Sequence, residues 1–478
     1  MEYIVNIATI LNALFLVSMI FLERRRPETI VVWAILFAFV PIVGFVLYVL
    51  FGGGLSIKTK RLLRRKAFYD EKYQYYFREI TNGDSIVKNK RISNIIQYNF
   101  ISAKSLPTFN NKVKVFNDGK SKIQSLIRDL KKAKHSIHME YYIFHDDFVG
   151  KEIMQILCDK AREGVKVKMI YDSVGCLRAP RRFFRQLKKA GGEVKEFFPP
   201  LFYIRLINLK MNYRNHRKIV VIDGKVGYVG GVNIRKDHIG YSKKLYPWVD
   251  THLRVEGQAV YALQNTFLNF WEFCQKKKKE TKDYVNEGYF PELKKQGDVT
   301  AQIITSGPDE TSWHIRDSYV KLINSARKSI IIQTPYFTPD ETFMNALKQA
   351  IKSGVKVILM LPKIPDKKVV YLASLSFAKE IVECGGEVYL RNGFLHSKVL
   401  IVDDLAMSIG TCNIDYRSFT LNFEVTAVIY NKELIQSQLQ VIQHDIEESQ
   451  HIDMVYYKNR PLFTKFGQVI FRLFAPIF

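Results

Sequence analysis

The segments His216-Arg-Lys218-Ile-Val-Val-Ile-Asp223 and His396-Ser-Lys398-Val-Leu-Ile-Val-Asp403 place a His, a Lys and an Asp at identical spacing. The four residues between each Lys and Asp are apolar and branched, which predicts two buried β-strands. Because side chains two positions apart on a strand share a face, each His is expected to point the same way as its Lys. In a regular strand the two aspartates would point to the opposite face.

Each copy continues into a turn of small residues and an Asn, as Gly230-Gly231-Val-Asn233 and Gly410-Thr411-Cys-Asn413. Cleavage of a phosphodiester needs a nucleophile, a proton donor for the leaving alkoxide and positive charge for the other oxygens. Two His, two Lys and the two Asn amides can supply these groups without a metal or a cofactor, if the copies face each other. A single His-x-Lys would be an ordinary feature of a strand, and the duplication favours a shared catalytic cleft.

The composition limits the classes of partner and compartment. The net charge of +26, from 72 basic and 46 acidic residues, favours a polyanionic partner, either nucleic acid or an anionic membrane surface. The 478 residues exceed one ordinary core, so two domains are expected. The five cysteines are odd in number and have no CxxC spacing, which indicates neither a disulfide framework nor a zinc site.

The N-terminal segment is typical of a membrane anchor. Two uncharged runs, Tyr3–Leu22 and Ile30–Phe51, are separated by a short charged stretch with three arginines, and each is long enough to span a bilayer. A cleaved signal peptide is disfavoured, since no basic residue precedes the first run and a second run follows directly. The sequence therefore predicts a two-helix transmembrane hairpin in the cell membrane. Six basic residues follow the second run, which favours a cytoplasmic position for the rest of the chain.

The remainder of the chain is an internal repeat. The stretch 133–144 parallels 326–337, Gly164-Val-Lys-Val parallels Gly354-Val-Lys-Val, and Gly191-Gly-Glu-Val parallels Gly385-Gly-Glu-Val. Strands that alternate with helical stretches predict α/β units. A period of about 180–190 residues is typical of a duplicated domain rather than a solenoid. The stretch 201–211 has no partner of equal length in the second half, and it is either a contact for lipid or a surface loop.

The paired motifs resemble the signature of the phospholipase D superfamily, and the resemblance spans nearly all of the chain after residue 108. In that superfamily an acidic residue downstream of each motif orients the histidine. The resemblance assigns Asp250 to His216 and Glu424 to His396, with Asp223 and Asp403 completing the motifs. These last two are expected to brace the fold through hydrogen bonds on the far side of each strand.

Within the superfamily the sequence resembles bacterial cardiolipin synthases. The resemblance is carried by the flanks of the two motifs, by the N-terminal hairpin and by the C-terminal segment, namely Asn212-Tyr-Arg214-Asn-His216-Arg-Lys218, Asp415-Tyr-Arg417-Ser418-Phe and Arg472-Leu-Phe-Ala-Pro476-Ile-Phe478. It implies transfer of a phosphatidyl group from one phosphatidylglycerol to another through a phosphatidyl-histidine, giving cardiolipin and glycerol. The implied partners are phosphatidylglycerol and other anionic membrane lipids, with no nucleic acid, metal or cofactor.

Other functions stay open at this point. A phospholipase D-type hydrolase or nuclease could use the same site, and a phosphatidyltransferase could use another acceptor alcohol. A non-catalytic scaffold is disfavoured, because both motifs are complete. The predicted architecture has two similar phospholipase D-like α/β domains related by pseudo-two-fold symmetry. The predicted parts are a transmembrane hairpin (1–56), a basic membrane-proximal linker (57–108), a first domain (109–294), a second domain (295–450) and an amphipathic membrane-associated tail (451–478).

Overall fold

The computed structural model describes residues 2–22, 27–52, 55, 59–60, 63, 89–200, 212–275 and 287–475. The stretch 201–211 and the arginines between the two apolar runs lie outside the described residues. The helices are α1 (Glu2–Val17), α2 (Pro27–Phe39), α3 (Pro41–Leu47), α4 (Lys90–Ala103), α5 (Gly119–Lys132), α6 (Phe148–Arg162), α7 (Arg181–Lys189), α8 (Ala259–Cys274), α9 (His314–Ile323), α10 (Glu341–Lys352), α11 (Lys368–Glu383), α12 (Tyr416–Thr420), α13 (Lys432–Glu447), α14 (Met454–Lys458) and α15 (Leu462–Leu473).

The strands fall into two series, one in each half of the chain. The first series is β1 (Pro107–Phe116), β2 (Ser136–Tyr141), β3 (Lys166–Asp172), β4 (Glu193–Phe197), β5 (Arg214–Asn215), β6 (Lys218–Ile222), β7 (Val226–Gly230), β8 (Trp248–Val249) and β9 (His252–Glu256). The second series is β10 (Val299–Ser306), β11 (Ser329–Gln333), β12 (Phe337–Thr338), β13 (Lys356–Pro362), β14 (Glu387–Arg391), β15 (Phe394–Leu395), β16 (Val399–Val402), β17 (Ala406–Gly410), β18 (Ile414–Asp415), β19 (Asn422–Tyr430) and β20 (Gln450–Ile452).

Most strands of both halves form one continuous mixed sheet. Its order is β20-β14-β13-β11-β16-β17-β19-β10-β1-β9-β7-β6-β2-β3-β4. From the antiparallel β1–β10 junction, β9-β7-β6-β2-β3-β4 on one side mirrors β19-β17-β16-β11-β13-β14 on the other. The two halves therefore have the same α/β topology and meet about a pseudo-two-fold axis between β1 and β10, as the repeat predicts.

The two motif strands lie inside this sheet, β6 between β7 and β2 and β16 between β17 and β11. All residues of both strands are buried. Ile219 and Val221 share one apolar cluster with Val399 and Ile401 of the other half, whereas Val220 packs in the core of its own half. Burial on both faces explains why the motif has a continuous apolar run instead of an alternating pattern.

The N-terminal segment fits the predicted hairpin only in part. Among the described residues, one helix is long and apolar enough to cross a membrane, and it spans Glu2–Phe21. The second run is divided into α2 and α3 at Pro41, which has no N–H to donate and cannot continue the helix unbroken. The two runs are in contact, since Asn12 Nδ2 donates to the Pro41 oxygen at 2.9 Å and the rings of Phe15 and Tyr48 lie 4.4 Å apart.

The last part of the predicted linker (57–108) contains a packed helix. Helix α4 buries Ile95 and Ile96 in the core of the second half, and its Phe100 is also buried. Asn99 Nδ2 also donates to Gln302 Oε1 at 3.2 Å. The basic and aromatic composition of 57–108 concealed this apolar face, which repeats at helical rather than strand spacing.

Candidate active site

Each motif histidine directly follows a two-residue strand that pairs with the opposite half of the chain. Strand β5 runs parallel to the start of β19, and the His216 N–H donates to the Phe423 oxygen at 3.0 Å. Strand β15 runs parallel to β8, and the His396 N–H donates to the Val249 oxygen at 2.7 Å. The two halves thus exchange strand pairs at the site, which brings both motifs to one cleft.

The strand exchange decides which carboxylate orients which histidine. His216 Nδ1 donates to Glu424 at 2.9 Å, and His396 Nδ1 donates to Asp250 Oδ2 at 2.6 Å. The predicted assignment of Asp250 to His216 and Glu424 to His396 was therefore wrong. Asn215 of β5 pairs with Phe423 of β19. The residues that follow them, His216 and Glu424, therefore lie side by side.

Both imidazoles present the same nitrogen to the cleft. Since each Nδ1–H is held by a buried carboxylate, Nε2 is left for chemistry at a phosphorus atom. Burial lowers the pKa of His216, although Glu424 opposes that effect. Burial also lowers the pKa of His396 well below its usual value, against the pull of Asp250. Both rings are therefore neutral near pH 7 until an anionic substrate binds.

The two lysines have equivalent buried positions. Lys218 Nζ donates to the His216 oxygen at 2.5 Å, and Lys398 Nζ donates to the His396 oxygen. Burial lowers the pKa of Lys218 to about 7 and that of Lys398 to about 8. An ammonium has three N–H donors, so each lysine keeps donors for phosphate oxygens, and a bound phosphodiester would hold both in the charged form.

The motif aspartates lie away from the histidines. Strands β6 and β16 end one residue before them, and Asp223 and Asp403 have φ values of +53° and +51°. Asp223 Oδ1 accepts from the N–H of Ser136 at 2.9 Å, and Asp403 Oδ1 accepts from the N–H of Ser329 at the same distance. Each aspartate thus ties its motif strand to the turn before β2 or β11, which is a structural role.

The two asparagines lie in buried positions after β7 and β17. Asn233 Oδ1 accepts from the Ile143 N–H at 3.2 Å, which orients its Nδ2 away from that backbone. The side chain of Asn413 is 6% exposed at the matching point of the second half. The structure therefore brings His, Lys and carboxylate from both halves together, and it places the two motif aspartates at the far ends of their strands.

Comparison with known proteins gives the family. The family model described as "Cardiolipin synthase, PLD-like domain" matches residues 126–271 and 319–446, which is more than half of the chain. The chain belongs to the cardiolipin synthase family. A second model, described as phospholipase D–nuclease N-terminal, matches residues 10–53.

Curated cardiolipin synthases resemble the chain along its whole length. A cardiolipin synthase of Listeria monocytogenes serotype 4b (strain CLIP80459) is 40% identical over 100% of this chain and 99% of its own. The major cardiolipin synthase ClsA of Bacillus subtilis (strain 168) is 39% identical over 98% of this chain and 97% of its own. The crystal structure of phosphatidylserine synthase from Haemophilus influenzae Rd KW20 has a TM-score of 0.59, with 16% identity over 81% of this chain and 98% of that one, which shows a shared fold.

The pseudo-symmetry of this cardiolipin synthase family member breaks around the two carboxylates. Thr411 Oγ1 donates to Glu424 Oε2 at 2.5 Å. The matching residue of the first half is Gly231, where an added Cβ would collide with the Asp250 carboxylate. Glu424, the longer side chain, therefore accepts a hydrogen bond from the Thr411 hydroxyl, whereas Asp250, the shorter one, lies against the backbone of Gly231.

His238 is a site residue that the sequence analysis missed. It is 2% exposed, its Nδ1 lies 3.6 Å from Asp250 Oδ2, and its ring centroid lies 5.3 Å from that of His396. Its Nε2 lies 3.5 Å from Asn233 Nδ2. Comparison of the repeats could not reveal it, because the matching residue after Asn413 is Ser418. The only available signal was a His five residues after the first-motif Asn.

One group in the described part of the chain has the side chains to hold a metal ion. The ligand atoms of His238, Asp250 and His396 all lie within 4.8 Å of one another. Zinc ligands sit about 2.0–2.2 Å from the ion and hence more than 3 Å from each other. The 2.6 Å between His396 Nδ1 and Asp250 Oδ2 is shorter than that and corresponds to a hydrogen bond. The three side chains are therefore arranged to orient the His396 imidazole by hydrogen bonding rather than to coordinate a metal ion.

Proposed function

We propose that this protein is a cardiolipin synthase that transfers a phosphatidyl group from one phosphatidylglycerol to another, with release of glycerol. The observation that carries the proposal is the pair of buried His–carboxylate units supplied crosswise by the two halves. Two equivalent imidazoles in one cleft suit a reaction with two similar steps. Full-length similarity to curated cardiolipin synthases supports the choice of phosphatidylglycerol as donor and acceptor.

In the first step His216 Nε2 attacks the phosphorus of the donor lipid. An N–P bond forms, and the bond between phosphorus and the headgroup glycerol oxygen breaks. His396, which takes up a proton from water on Nε2 when the anionic phosphodiester binds, gives that proton to the departing oxygen, which leaves as glycerol. Glu424 stabilises the positive charge that His216 acquires, because its buried carboxylate lies on the other ring nitrogen. The resemblance to lipases of the superfamily supports His216 as the nucleophile.

In the second step a hydroxyl of the acceptor lipid takes the place of the glycerol. His396 Nε2, now without its proton, removes the hydroxyl proton, and the oxygen attacks phosphorus as the N–P bond breaks. Lys218, Lys398, Asn233 and Asn413 donate to the non-bridging oxygens in both steps. Because the acceptor must compete with water, the cleft has to hold the lipid hydroxyl in attack geometry.

The membrane arrangement belongs to the same proposal. The helix Glu2–Phe21 supports an N-terminal anchor, and we infer that the second apolar run spans with it as a hairpin. The catalytic halves then lie on the cytoplasmic side of the cell membrane. The division into hairpin (1–56), linker (57–108), two catalytic domains (109–294 and 295–450) and tail (451–478) is proposed on the same basis, with α4 assigned to the second catalytic core.

The test is product identification with the purified full-length protein in phosphatidylglycerol vesicles. With headgroup-labelled phosphatidylglycerol, we expect one labelled glycerol to be released for each cardiolipin formed. His216→Ala, the matched negative control, should form neither product. Phosphatidic acid as the main lipid product would replace this proposal with a hydrolase, and cleavage of nucleic acid in preference to lipid would replace it with a nuclease.

A further inference from the structure

Helix α15 has an exposed apolar side that no described residue covers. Five of its apolar side chains are between 60% and 87% exposed, namely Leu462, Phe463, Phe466, Val469 and Leu473. At 3.6 residues per turn four of them lie on a single stripe, with Phe463 beside it. A contiguous exposed apolar surface of this kind marks a contact with a partner or a membrane rather than with water.

The opposite side of α15 is fixed to the second half of the fold. Gly467 faces Leu372 of α11, where an added Cβ would be in ordinary contact at 3.5 Å. Arg472 forms an ion pair with Glu380 of α11, and its guanidinium lies 4.2 Å from the ring centroid of Phe377. The helix therefore presents its apolar side at a fixed orientation to the catalytic body.

The charged side chains of α15 and of the turn before it are basic, and one of them, Arg472, is paired with Glu380 on the docked side. Helix α15 contains the basic residues Lys465 and Arg472 and no acidic residue. The preceding turn adds Lys458 and Arg460, and Lys465 Nζ donates to the Lys458 oxygen at 2.8 Å. Basic side chains beside aromatic and aliphatic ones complement an anionic lipid surface.

We propose that α15 is an interfacial helix that inserts its apolar side into the anionic bilayer while its other side remains on α11. The proposal rests on the lipid substrate of the proposed function and adds a second membrane contact, far in sequence from the N-terminal anchor. A docked α15 orients the catalytic cleft because α11 contacts β12, which pairs with β18 beside the second motif. Ser374 Oγ of α11 accepts from the Phe337 N–H at 3.0 Å, and β12 pairs with β18 directly after Asn413.

The depth of α15 can be measured in the full-length protein. A fluorophore is attached through Phe466→Cys in a chain whose half-buried Cys274 and Cys384 are replaced by Ser, and the protein is placed in phosphatidylglycerol vesicles. The matched control carries the fluorophore through His444→Cys on α13, where the native side chain is 71% exposed. We expect spin-labelled acyl chains to quench the first position at least about threefold more than the second, and aqueous iodide to show the reverse. Equal iodide quenching at both positions would overturn the proposal.

A second experiment distinguishes loss of membrane docking from loss of catalytic activity. Phe463→Ser combined with Phe466→Ser should lower cardiolipin formation in vesicles about tenfold and leave cleavage of a water-soluble phosphodiester unchanged. The matched control is Ile101→Ser, which removes an isoleucine that is 64% exposed on α4. Unchanged cardiolipin formation in the double variant would overturn the proposal. Dissociation of a dimer by the same substitutions would also overturn it, because it would show that a second copy of this chain covers the apolar side of α15. If the wild-type protein forms no cardiolipin but the label at position 466 is lipid-quenched, the proposed function fails and the docking stands.

Discussion

The crossed arrangement of carboxylates predicts which substitutions behave alike. Glu424→Gln should reproduce the defect of His216→Ala, and Asp250→Asn should reproduce that of His396→Ala, because each acid contacts the histidine of the other half. An amide keeps the size of the side chain but removes the charge that stabilises the imidazolium. It can also hold the ring in the wrong tautomer.

The size of the effect follows from the geometry. Both carboxylates are fully buried, and their oxygens lie 2.9 Å and 2.6 Å from the imidazole Nδ1 atoms, which places the charge centres about 4 Å apart. At an effective dielectric constant of about 20, two unit charges at that separation attract by about 4 kcal/mol. Since about 1.4 kcal/mol corresponds to a tenfold change in rate, loss of the charge should slow the dependent step by about 10³-fold.

The assay uses a phosphatidyl ester of p-nitrophenol, whose phenolate leaves without a proton. The first-turnover release of p-nitrophenolate then needs the nucleophilic histidine and its carboxylate but not the general acid. We expect His216→Ala and Glu424→Gln to lower that rate by about 10³-fold, and His396→Ala and Asp250→Asn by less than about tenfold. With phosphatidylglycerol, where glycerol needs a proton, all four variants should be slow.

The grouping of variants is what refutes or supports the crossed pairing. If Asp250→Asn loses the p-nitrophenolate burst together with His216→Ala, each acid serves the histidine of its own half and the described geometry is wrong. If the two groups form as expected but with His396 in the slow group, the pairing holds and the nucleophile is His396. Equal and small effects of both acid substitutions would contradict the proposed role of either carboxylate.

Four further predictions follow from the same site. Burial lowers the pKa of both motif histidines, so the acid limb of the p-nitrophenolate burst should lie below pH 6.5, the ordinary histidine value; a limb above that value would contradict it. The ring centroid of His238 lies 4.2 Å from that of Trp248, and His238→Phe keeps an aromatic ring at this position. The substitution should lower kcat by up to about a hundredfold with little change in KM or Tm. A normal kcat would show that the His238 imidazole does not position the catalytic groups. Burial alone would raise the pKa of Asp403, but hydrogen bonds from Arg91 and three backbone N–H groups lower it overall. Its stabilising effect is therefore full above the unfolded pKa and lost as the pH falls through the folded value, so Asp403→Asn should cost about 1–3 kcal/mol in urea unfolding at pH 7 and progressively less below about pH 4. Activity should persist in EDTA, and a loss restored by one divalent ion would contradict the proposed chemistry by side chains alone.

The local pattern of the sequence predicts a large part of this protein. The continuous apolar run between Lys218 and Asp223 predicts a doubly buried strand, and β6 is that strand. The matched stretches at 133–144 and 326–337 predict two similar α/β halves, and β2 and β11 occupy equivalent places in the sheet. These features were accessible because strand periodicity and the spacing within a motif depend on neighbours a few residues away.

Other features depend on contacts between residues far apart in the chain. The apolar face of helix α4 repeats at helical spacing within a basic segment, but the core that this face contacts belongs to the distant second half of the chain. His238 could not be found from the repeat, because symmetry breaks at that residue and at Gly231.

The sequence by itself determined which residue types would carry the chemistry: two His and two Lys in duplicated strands, each followed by a carboxylate. Only the tertiary structure decided that Glu424 serves His216 and Asp250 serves His396. The physical reason is that the choice depends on hydrogen bonds of β5 with β19 and of β15 with β8. Both pairings join one half of the chain to the other, and the spacing of residues within a single motif cannot predict which distant strands will pair.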